Sequence, residues 1–513
     1  RSRPATTVRD PGRREVSEML KFRRALALAA VLALTSIGGC HKKERLRSFD
    51  PSDFNADGWA DVAVGAPLDD AGAAGSDRGR VYVYGGPLNS APGILDGAED
   101  GAHFGFSVCA AGDFNGDGFP DLAVGAPLDD ADDISTDSGA NLGRVFIYLG
   151  GPGFVAGVIT LNGTEPGGQF GYSVARAGDV NGDGIDDLIV GAPFEDAGGT
   201  DRGNAYLFLG GVSPSTTPAL TFSGTEDLGR FGFCVSTAGD INNDGFFDWM
   251  IGAPGDDNDG NTTSDSGLDR GRVFIYRGSF FPDNSVDIII NGSEDFGQLG
   301  YSIAGLLDVN LDGRDDIILG APFEDGDGNT ATNTAPFMGR AYLFFGSALS
   351  GIVSTSSFSA SRIFTGTEAG AQFGAFVGRI GDVNAGGAPD VFIGAPLDDG
   401  DGNSTDEGID RGRGFVYFGG ASIDTVADIT ITGLEAGSHL GSWASSGGDV
   451  DGDGERDLVV GAPGEDVDGN ATEDGLNRGR VYFFRGGIFL DPTPDNFLDG
   501  GLEDGAAAGT SGA

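Results

Sequence analysis

The chain has 513 residues, with 78 acidic side chains against 31 lysines and arginines and a formal net charge of −47. So large a negative charge makes nucleic acid and anionic membrane surfaces poor partners. The length would allow several domains, and 93 glycines would suit a disordered chain. An internal repeat overrides both expectations, because stacked repeats form a single folded body.

The N-terminal region has the pattern of a secretion signal. Basic residues beginning at Lys21 precede an apolar run over residues 25–34, and small residues follow. An ordinary signal peptide or a membrane helix is the alternative, although the run is too short to span a bilayer. The tetrapeptide that ends at Cys40 resembles the lipobox of bacterial lipoproteins, in which the cysteine is lipidated.

These features predict how the chain is divided and where it resides. Met19 looks like the true start, and the polar residues after Cys40 form a short tether. We expect a secreted, lipid-anchored protein at the outer membrane or cell surface, with the lipid as its only membrane contact. The predicted segments are an upstream extension at 1–18, a signal peptide at 19–39, a tether at 40–52 and a repeat domain at 53–513.

One motif occurs seven times after the tether. Its second copy, residues 113–127, reads DFNGDGFPDLAVGAP. Oxygen-bearing side chains stand at positions 1, 3, 5 and 9 with Gly at position 6, which is nearly the start of a calcium loop. Glycine there permits the tight turn that lets these oxygens converge. The copies begin at Asp53, Asp113, Asp179, Asp240, Asp308, Asp382 and Asp449.

Six copies have a complete set of side-chain ligands. Oxygen-only ligands favour Ca²⁺ over zinc or copper, so calcium is the predicted cofactor. The alternative is a row of hairpin turns without metal, although such turns do not require carboxylates at positions 1, 5 and 9 together. The predicted ligands are Asp53, Asn55, Asp57, Asp61, Asp113, Asn115, Asp117, Asp121, Asp179, Asn181, Asp183, Asp187, Asp240, Asn242, Asp244, Asp248, Asp308, Asn310, Asp312, Asp316, Asp449, Asp451, Asp453 and Asp457.

The sixth copy departs from this pattern. Gly386 stands where the other copies have a carboxylate at position 5, which leaves only Asp382, Asn384 and Asp390. We therefore expect the sixth site to be weak or empty.

Each repeat reads as four short strands. In the second copy they are predicted over residues 104–111, 122–127, 144–149 and 158–161, and no helical periodicity follows the signal. Second strands such as LAVG are continuous apolar runs, which are typical of burial on both faces. Seven units of four antiparallel strands predict an all-β fold, a seven-bladed β-propeller.

Two further signatures flank the metal loops. A Phe-Gly pair such as Phe104-Gly105 precedes most of them, and Gly-Ala-Pro follows all seven, as at residues 125–127. These residues resemble the FG-GAP repeat of integrin α-subunit N-terminal propellers and their bacterial relatives, over nearly all of the chain after the signal. The resemblance implies a propeller with a binding role.

The first repeat lacks the strand that carries Phe-Gly. The C-terminal segment 498–513 can be aligned with the chain from residue 95 onward, which places Gly509 on Gly105 and Ser511 on Ser107. We predict that this tail supplies the missing strand and closes the ring.

The acidic loops after Gly-Ala-Pro have a regular spacing of their own in repeats four to seven. Oxygen-bearing side chains again stand at positions 1, 3, 5 and 9, now with Gly at position 4. The spacing indicates either a second arc of calcium sites or a solvated acidic loop; repeat five has Asp325, Asp327 and Asn329 but ends on Asn333. The possible second row is Asp257, Asp259, Asn261, Asp265, Asp399, Asp401, Asn403, Glu407, Asp466, Asp468, Asn470 and Asp474.

Function is predicted from these features together. We expect a calcium-binding, surface-anchored propeller that binds a protein or glycan partner through its loops. A propeller-scaffold enzyme acting on polysaccharide, as a lyase or hydrolase, and a structural envelope component are the alternatives. No catalytic residue is predicted, because the three histidines, His41, His103 and His439, form no evident nucleophile–base pair.

Two smaller expectations concern buried groups. Arginines that open third strands, such as Arg272, Arg413 and Arg480, should pair with nearby acidic residues. Cys109 and Cys234 lie in apolar strands of different repeats and should be buried thiols.

Overall fold

The computed structural model describes residues 53–69, 77–86, 92–130, 139–257, 268–325, 337–349, 354–400, 409–465, 479–488 and 490–499. These residues form antiparallel sheets that follow one another along the chain, one sheet to a repeat. The predicted all-β, seven-bladed propeller is confirmed.

The blades are numbered from one to seven in chain order. Blade 1 is β1 (Val62–Ala66), β2 (Arg80–Tyr84) and β3 (Gly93–Asp96); blade 2 is β4 (Ser107–Gly112), β5 (Asp121–Ala126), β6 (Arg144–Leu149) and β7 (Gly157–Asn162); blade 3 is β8 (Ser173–Gly178), β9 (Asp187–Ala192), β10 (Asn204–Phe208) and β11 (Leu220–Ser223). Blade 4 is β12 (Cys234–Gly239), β13 (Asp248–Ala253), β14 (Arg272–Tyr276) and β15 (Ile288–Asn291); blade 5 is β16 (Ser302–Leu307), β17 (Asp316–Ala321), β18 (Arg340–Phe344) and β20 (Arg362–Thr365). Blade 6 is β21 (Phe376–Gly381), β22 (Asp390–Ala395), β23 (Arg413–Tyr417) and β24 (Ile429–Thr432); blade 7 is β25 (Trp443–Gly448), β26 (Asp457–Ala462), β27 (Arg480–Phe484) and β28 (Asn496–Asp499).

Strand order within each blade follows the chain, from the axis outward. The first strands of blades 2 to 7 pack side by side around the axis. Second strands lie between neighbouring blades, and all six residues of β5 are buried, as its continuous apolar sequence predicts. One apolar cluster joins Val81, Val124 and Val190 across blades 1 to 3, so the blades share their core.

The Phe-Gly and Gly-Ala-Pro signatures meet at the contacts between blades. A Cβ atom added to Gly65 would lie 2.1 Å from the carbonyl oxygen of Gly105 in the next blade. The same approach recurs at Gly125, where the carbonyl is that of Gly171. Gly65 must be a glycine because of this close spacing. Gly105 must be a glycine because its backbone has φ +87°.

A bulge at the end of each described first strand leads the chain into the metal loop. In blade 2 the register shifts between Ala110 and Gly112, and Gly112 adopts φ +68°. The irregularity turns the strand away from its ladder, so that the following loop projects beyond the blade.

Blade 5 has an insertion that the sequence did not predict. Between its third and fourth strands lie a single helical turn, Gly346–Leu349, and a 3₁₀ turn, Ser357–Ser359. The extra strand β19 (Ser354–Ser356) pairs in parallel with β15 and joins the sheet of blade 4. The helical turn is too short to give a periodic apolar pattern, which is why it was missed.

The ring closure lies largely outside the described residues. Leu498 and Asp499 belong to the outer strand of blade 7, as Leu95 and Asp96 belong to that of blade 1, which agrees with the start of the proposed alignment. Residues 500–513 fall beyond the described part, so closure by the tail stays a prediction. So does every expectation for residues 1–52, including Cys40.

Two further points concern buried thiols and the membrane. Cys109 and Cys234 are free and buried, as predicted. In the described ranges, no helix has the length and apolar character to cross a membrane.

Candidate metal loops and loop face

The predicted metal loops are hairpins between the first and second strands. In blade 2, Asp113 accepts hydrogen bonds from the backbone amides of Asp117 and Gly118, both at 2.9 Å. Asn115 Oδ1 accepts from the amide of Asp117 at 2.8 Å, and Asp117 Oδ1 accepts from that of Phe119 at 3.0 Å. The side chains at positions 1, 3 and 5 therefore all accept hydrogen bonds from the backbone of the loop.

Position 9 has a structural task that the sequence did not reveal. Asp121 is fully buried, and its Oδ2 accepts from the amide of Phe114 at 3.0 Å. Its Oδ1 accepts from the amide of Gly150, in the connection between the third and fourth strands, at 2.9 Å. The equivalent Asp makes the same pair of bonds in all seven blades, to Gly86, Gly150, Gly210, Gly278, Gly346, Gly419 and Gly486.

Burial governs the protonation of these position 9 carboxyls. Desolvation raises the pKa of Asp121 to about 7 and that of Asp248 to about 8, and nearby loop carboxylates act in the same direction. The backbone hydrogen bonds oppose the shift without cancelling it. In the absence of a cation, the innermost carboxyl of each loop therefore keeps its proton to a higher pH than a solvent-exposed carboxyl would.

Three of the four predicted ligands of the seventh loop, all carboxylates, lie close enough together to hold a cation. One oxygen each from Asp449, Asp451 and Asp453 lies within 4.8 Å of the others. Oxygens that each stand 2.3–2.6 Å from a calcium ion are separated by distances of this order. Asn replaces Asp at position 3 of the other complete loops, with its Oδ1 in the same place relative to the backbone in blades 2, 3 and 5.

The predicted second row is only partly within the described residues. Asp257 and Asp399 are buried, and each Oδ1 accepts from two backbone amides, those of Leu268 and Asp269 at 2.7 and 2.6 Å in the case of Asp257. These position 1 residues therefore close the base of the acidic loops. Asp259, Asn261, Asp265, Asp401, Asn403, Glu407, Asp466, Asp468, Asn470 and Asp474 lie outside the described residues.

Buried ion pairs join successive blades beside these acidic loops. Arg272 Nε lies 2.9 Å from Asp256 in its own blade, and its Nη2 lies 3.8 Å from Glu226, which follows blade 3. Glu226 also accepts from the amide of Asp257 at 2.8 Å. The predicted pairing of these arginines is confirmed. Arg413 likewise contacts Asp398 of its own blade and Glu368 after the preceding blade, and Arg480 pairs with Glu465 of its own blade. The recurring Glu was missed, although its place in the repeated Gly-Thr-Glu could have indicated it.

A cavity of about 260 Å³ opens on the axis at the end opposite the metal loops. Aromatic rings from four successive blades line it: Phe106, Tyr172, Phe233 and Tyr301, with centroid separations of 4.9, 5.1 and 5.1 Å. The other half is lined by polar side chains of blades 6 and 7, including His439, together with apolar residues such as Phe376 and Val377. Pro396 and Pro463 of Gly-Ala-Pro stand at the rim, so the acidic loops leave the propeller on this face. We call it the mouth cavity.

The fold, the interblade glycines and the hairpin loops together agree with the pattern of FG-GAP repeats. A family model described as FG-GAP repeat matches residues 46–84, 104–148, 170–208, 299–335 and 441–484. Blades 4 and 6 have the same architecture but lie outside the matched segments. The match to the FG-GAP repeat is thus confirmed for five of the seven predicted copies.

Several curated proteins are similar to this chain. Phosphatidylinositol-glycan-specific phospholipase D of Bos taurus is 30% identical over 410 residues, covering 74% of this chain and 46% of that protein. Integrin alpha-5 of Xenopus laevis is 33% identical over 234 residues, 43% of this chain and 20% of the integrin. Integrin alpha-V of Gallus gallus is 34% identical over 236 residues, with 44% and 20% covered. The predicted similarity to integrin α-subunits is confirmed.

These similarities cover only part of each relative. The chain spans about half the length of the phospholipases that it matches and about a fifth of the integrins. Among solved structures, a rhamnogalacturonan lyase of Bacillus licheniformis aligns with 67% of this chain and 62% of that chain at 14% identity. The TM-score of 0.24 is too low to indicate a shared fold.

Proposed function

We propose that this chain is a calcium-binding, lipid-anchored β-propeller that binds a protein or glycan partner through the face of the mouth cavity. The observation that carries the binding role is the mouth cavity itself, with aromatic rings on one side and polar groups on the other. Apolar cavities with a few convergent polar groups are the usual form of binding sites. The similarity to integrin α-subunits supports a binding module in general.

Calcium would be held by the side chains at positions 1, 3, 5 and 9 of the six complete loops. When bound, it supplies positive charge that offsets the carboxylates gathered there. The support is the convergence of Asp449, Asp451 and Asp453, and the raised pKa of the position 9 carboxyls, which reports carboxylate repulsion as well as burial. The shape of each loop is fixed by hydrogen bonds from its backbone amides to these side chains, as in the second loop.

The binding role is tested by removing aromatic rings from the mouth cavity. Purified protein is applied to a glycan array and to immobilised envelope proteins, with and without calcium. We expect one reproducible partner, bound less well by Tyr172→Ala and Tyr301→Ala. Phe281→Ala is the matched control, because Phe281 is 90% exposed in the connection between β14 and β15, on the opposite face. Equal binding by all three variants would contradict a role for the mouth cavity, and binding to nothing would favour a structural envelope component.

The lipid anchor at Cys40 is tested separately, because binding does not depend on it. Labelled palmitate should be incorporated into the wild-type protein in cells and not into Cys40→Ser. The variant should leave the membrane fraction. Unchanged labelling would exclude Cys40 as the lipidated residue.

An enzyme is the second candidate, and the 30% identity to phosphatidylinositol-glycan-specific phospholipase D favours it. The test is release of a glycosylphosphatidylinositol-anchored protein from vesicles, with polysaccharide degradation as a parallel assay. Release above that of heat-inactivated protein would establish an enzyme. Absence of both activities in protein that binds a partner would leave the binding module as the function.

A further inference from the structure

The most exposed apolar side chains among the residues that the structure describes lie on one face of the propeller. Five large apolar residues are between 71 and 90% exposed, and each stands in the connection between the third and fourth strands of its blade. These connections lie on the side of the metal loops, because their amides donate to the position 9 carboxylates. We call the five residues the apolar rim: Val212, Phe280, Phe281, Val426 and Ile488.

An equivalent hydrogen bond holds each of these connections in place. The amide of Gly211, just before Val212, donates to the carbonyl oxygen of Phe114 at position 2 of the preceding blade's metal loop, at 2.9 Å. Ser279, just before Phe280, donates to Val180 in the same way at 2.9 Å, and the connections of blades 6 and 7 make the equivalent bond at 2.7 Å. Because the blades repeat around one axis, the apolar rim lies near one plane.

Packing within the chain does not cover the apolar rim. Phe280 contacts Phe246 of the metal loop edge to face, with ring centroids 5.0 Å apart, and yet remains 71% exposed. Elsewhere in the described ranges no large apolar side chain is more exposed than Leu434, at 59%. Single exposed apolar residues are normal on a protein surface, but five of the most exposed on one face call for a partner.

The arrangement of the rim suits a flat lipid surface. Its residues stand in four different blades, so they do not form the contiguous apolar patch found at the centre of a protein interface. A bilayer surface is planar and accepts apolar side chains that are separated from one another, because each inserts among the lipid headgroups by itself.

The chain also enters the propeller on this face. Asp53 is position 1 of the first metal loop, and Cys40 stands 13 positions before it. At about 3.5 Å per residue, that stretch spans at most about 45 Å in any conformation. A lipid on Cys40 would therefore attach to the propeller at its metal-loop side, and the mouth cavity opens at the other end of the axis.

We propose that the metal-loop face docks on the lipid bilayer that holds the anchor, with the apolar rim inserted among the headgroups. The inference rests on the proposed lipid anchor and calcium sites, and it adds a second membrane contact where the lipid alone is expected from the sequence. Carboxylates of the metal loops lie on the same face and oppose this approach, and calcium in the loops offsets their charge. The partner is thus a zwitterionic bilayer in the presence of calcium, and the mouth cavity points away from it.

The test places an environment-sensitive fluorophore on Phe281→Cys in the full chain, added to phosphatidylcholine vesicles in calcium. Cys109 and Cys234 are buried and should not react with the label. Emission should shift to shorter wavelength when vesicles are added, and nitroxide groups on the lipid acyl chains should quench it. Leu434→Cys is the matched control, because Leu434 is exposed between β24 and β25 on the mouth side and should show neither effect. Adding Val212→Ser and Ile488→Ser to the labelled Phe281→Cys chain should weaken the quenching, since less apolar surface inserts.

The outcomes separate docking from the lipid anchor. Protein that is recovered with the vesicles but shows no shift at position 281 would keep the anchor and overturn docking. A shift in protein that takes up no labelled palmitate would support docking without the anchor. Equal emission with and without vesicles, together with a doubled mass in solution, would show that a second copy covers this face and would overturn the proposal. Hydrogen exchange of the unlabelled protein needs no variant: vesicles should slow exchange in residues 277–287 and leave residues 433–442 unchanged.

Discussion

The second and sixth hairpin loops fold in the same way, although only the second has a full set of ligands. In both, the position 1 carboxylate accepts from the amides at positions 5 and 6, at 2.9 and 2.9 Å for Asp113 and at 2.7 and 2.8 Å for Asp382. In both, the position 9 carboxylate is fully buried and accepts a hydrogen bond from a backbone amide in the connection between the third and fourth strands. Among the four ligand positions, the difference is Asp117 against Gly386 at position 5.

This comparison separates what the turn needs from what a cation would need. The sixth loop shows that the hairpin forms without a carboxylate at position 5. The other six loops have a carboxylate at position 5, which is exposed and has two more carboxylates in the same loop. It adds electrostatic repulsion to the loop and accepts one backbone hydrogen bond, as Asp117 does. A turn alone does not account for that residue, whereas the proposed binding of a cation would.

Removing calcium should have the largest effect. We expect chelation to lower the melting temperature and to speed proteolysis, since a site held at about 100 times its dissociation constant contributes about 2.7 kcal/mol and there are several sites. Hydrogen exchange should quicken at six loops and stay unchanged at residues 382–390. Identical melting curves with and without chelator would show that calcium does not stabilise the fold. An equal increase of hydrogen exchange in the sixth loop would show that this loop does not differ from the other six in calcium binding.

The metal-free protein should become less stable as the pH rises. The pKa of the position 9 carboxyls is raised by burial to about 7 for Asp121 and Asp390 alike, above the value near 4 of an unfolded chain. The folded state therefore holds more protons between these values. Its stability should fall by about 1.4 kcal/mol per pH unit for each such carboxyl as the pH passes from about 4 towards about 7.

Urea unfolding in metal-depleted buffer at about pH 5 and about pH 8 measures this effect. Calcium at saturation should abolish the decline, because it favours the ionised carboxylates. A metal-free protein that is more stable at the higher pH would contradict the assignment of these buried carboxyls.

Exchanging the two position 5 residues should have a smaller, local effect. Asp117→Gly should remove one bound ion, and Gly386→Asp should add one, with the metal-free stability of either changing by roughly 1 kcal/mol or less. A Cβ at Gly386 would meet only the Asn384 side chain, at 2.4 Å, which can move aside. Calorimetric titration gives the stoichiometry. Asp117→Asn is the control, since an amide oxygen can replace the carboxylate both as ligand and as hydrogen-bond acceptor.

The repeat made most of the fold predictable, because seven copies of one spacing point to one architecture. The strand sequence LAVG predicted burial of the second strand, which holds for β5. The interblade role of Gly65 and the clamp formed by Asp121 were not predictable, because each depends on a partner in another blade or another connection.

The smallest expected effect concerns the acidic loops of the mouth face, which repeat the spacing of the hairpin loops with Gly moved from position 6 to position 4. Asp257 and Asp399 at their first position already accept two backbone amides each, as Asp113 does in the hairpin loop, so the comparison extends to this face. If these loops also bind calcium, titration should give about nine or ten ions rather than six or seven. Asp401→Ala and Asp468→Ala should each remove one ion without unfolding the domain, because the loop base is held by other residues. A stoichiometry of six or seven that neither substitution changes would show that the second spacing belongs to a solvated loop.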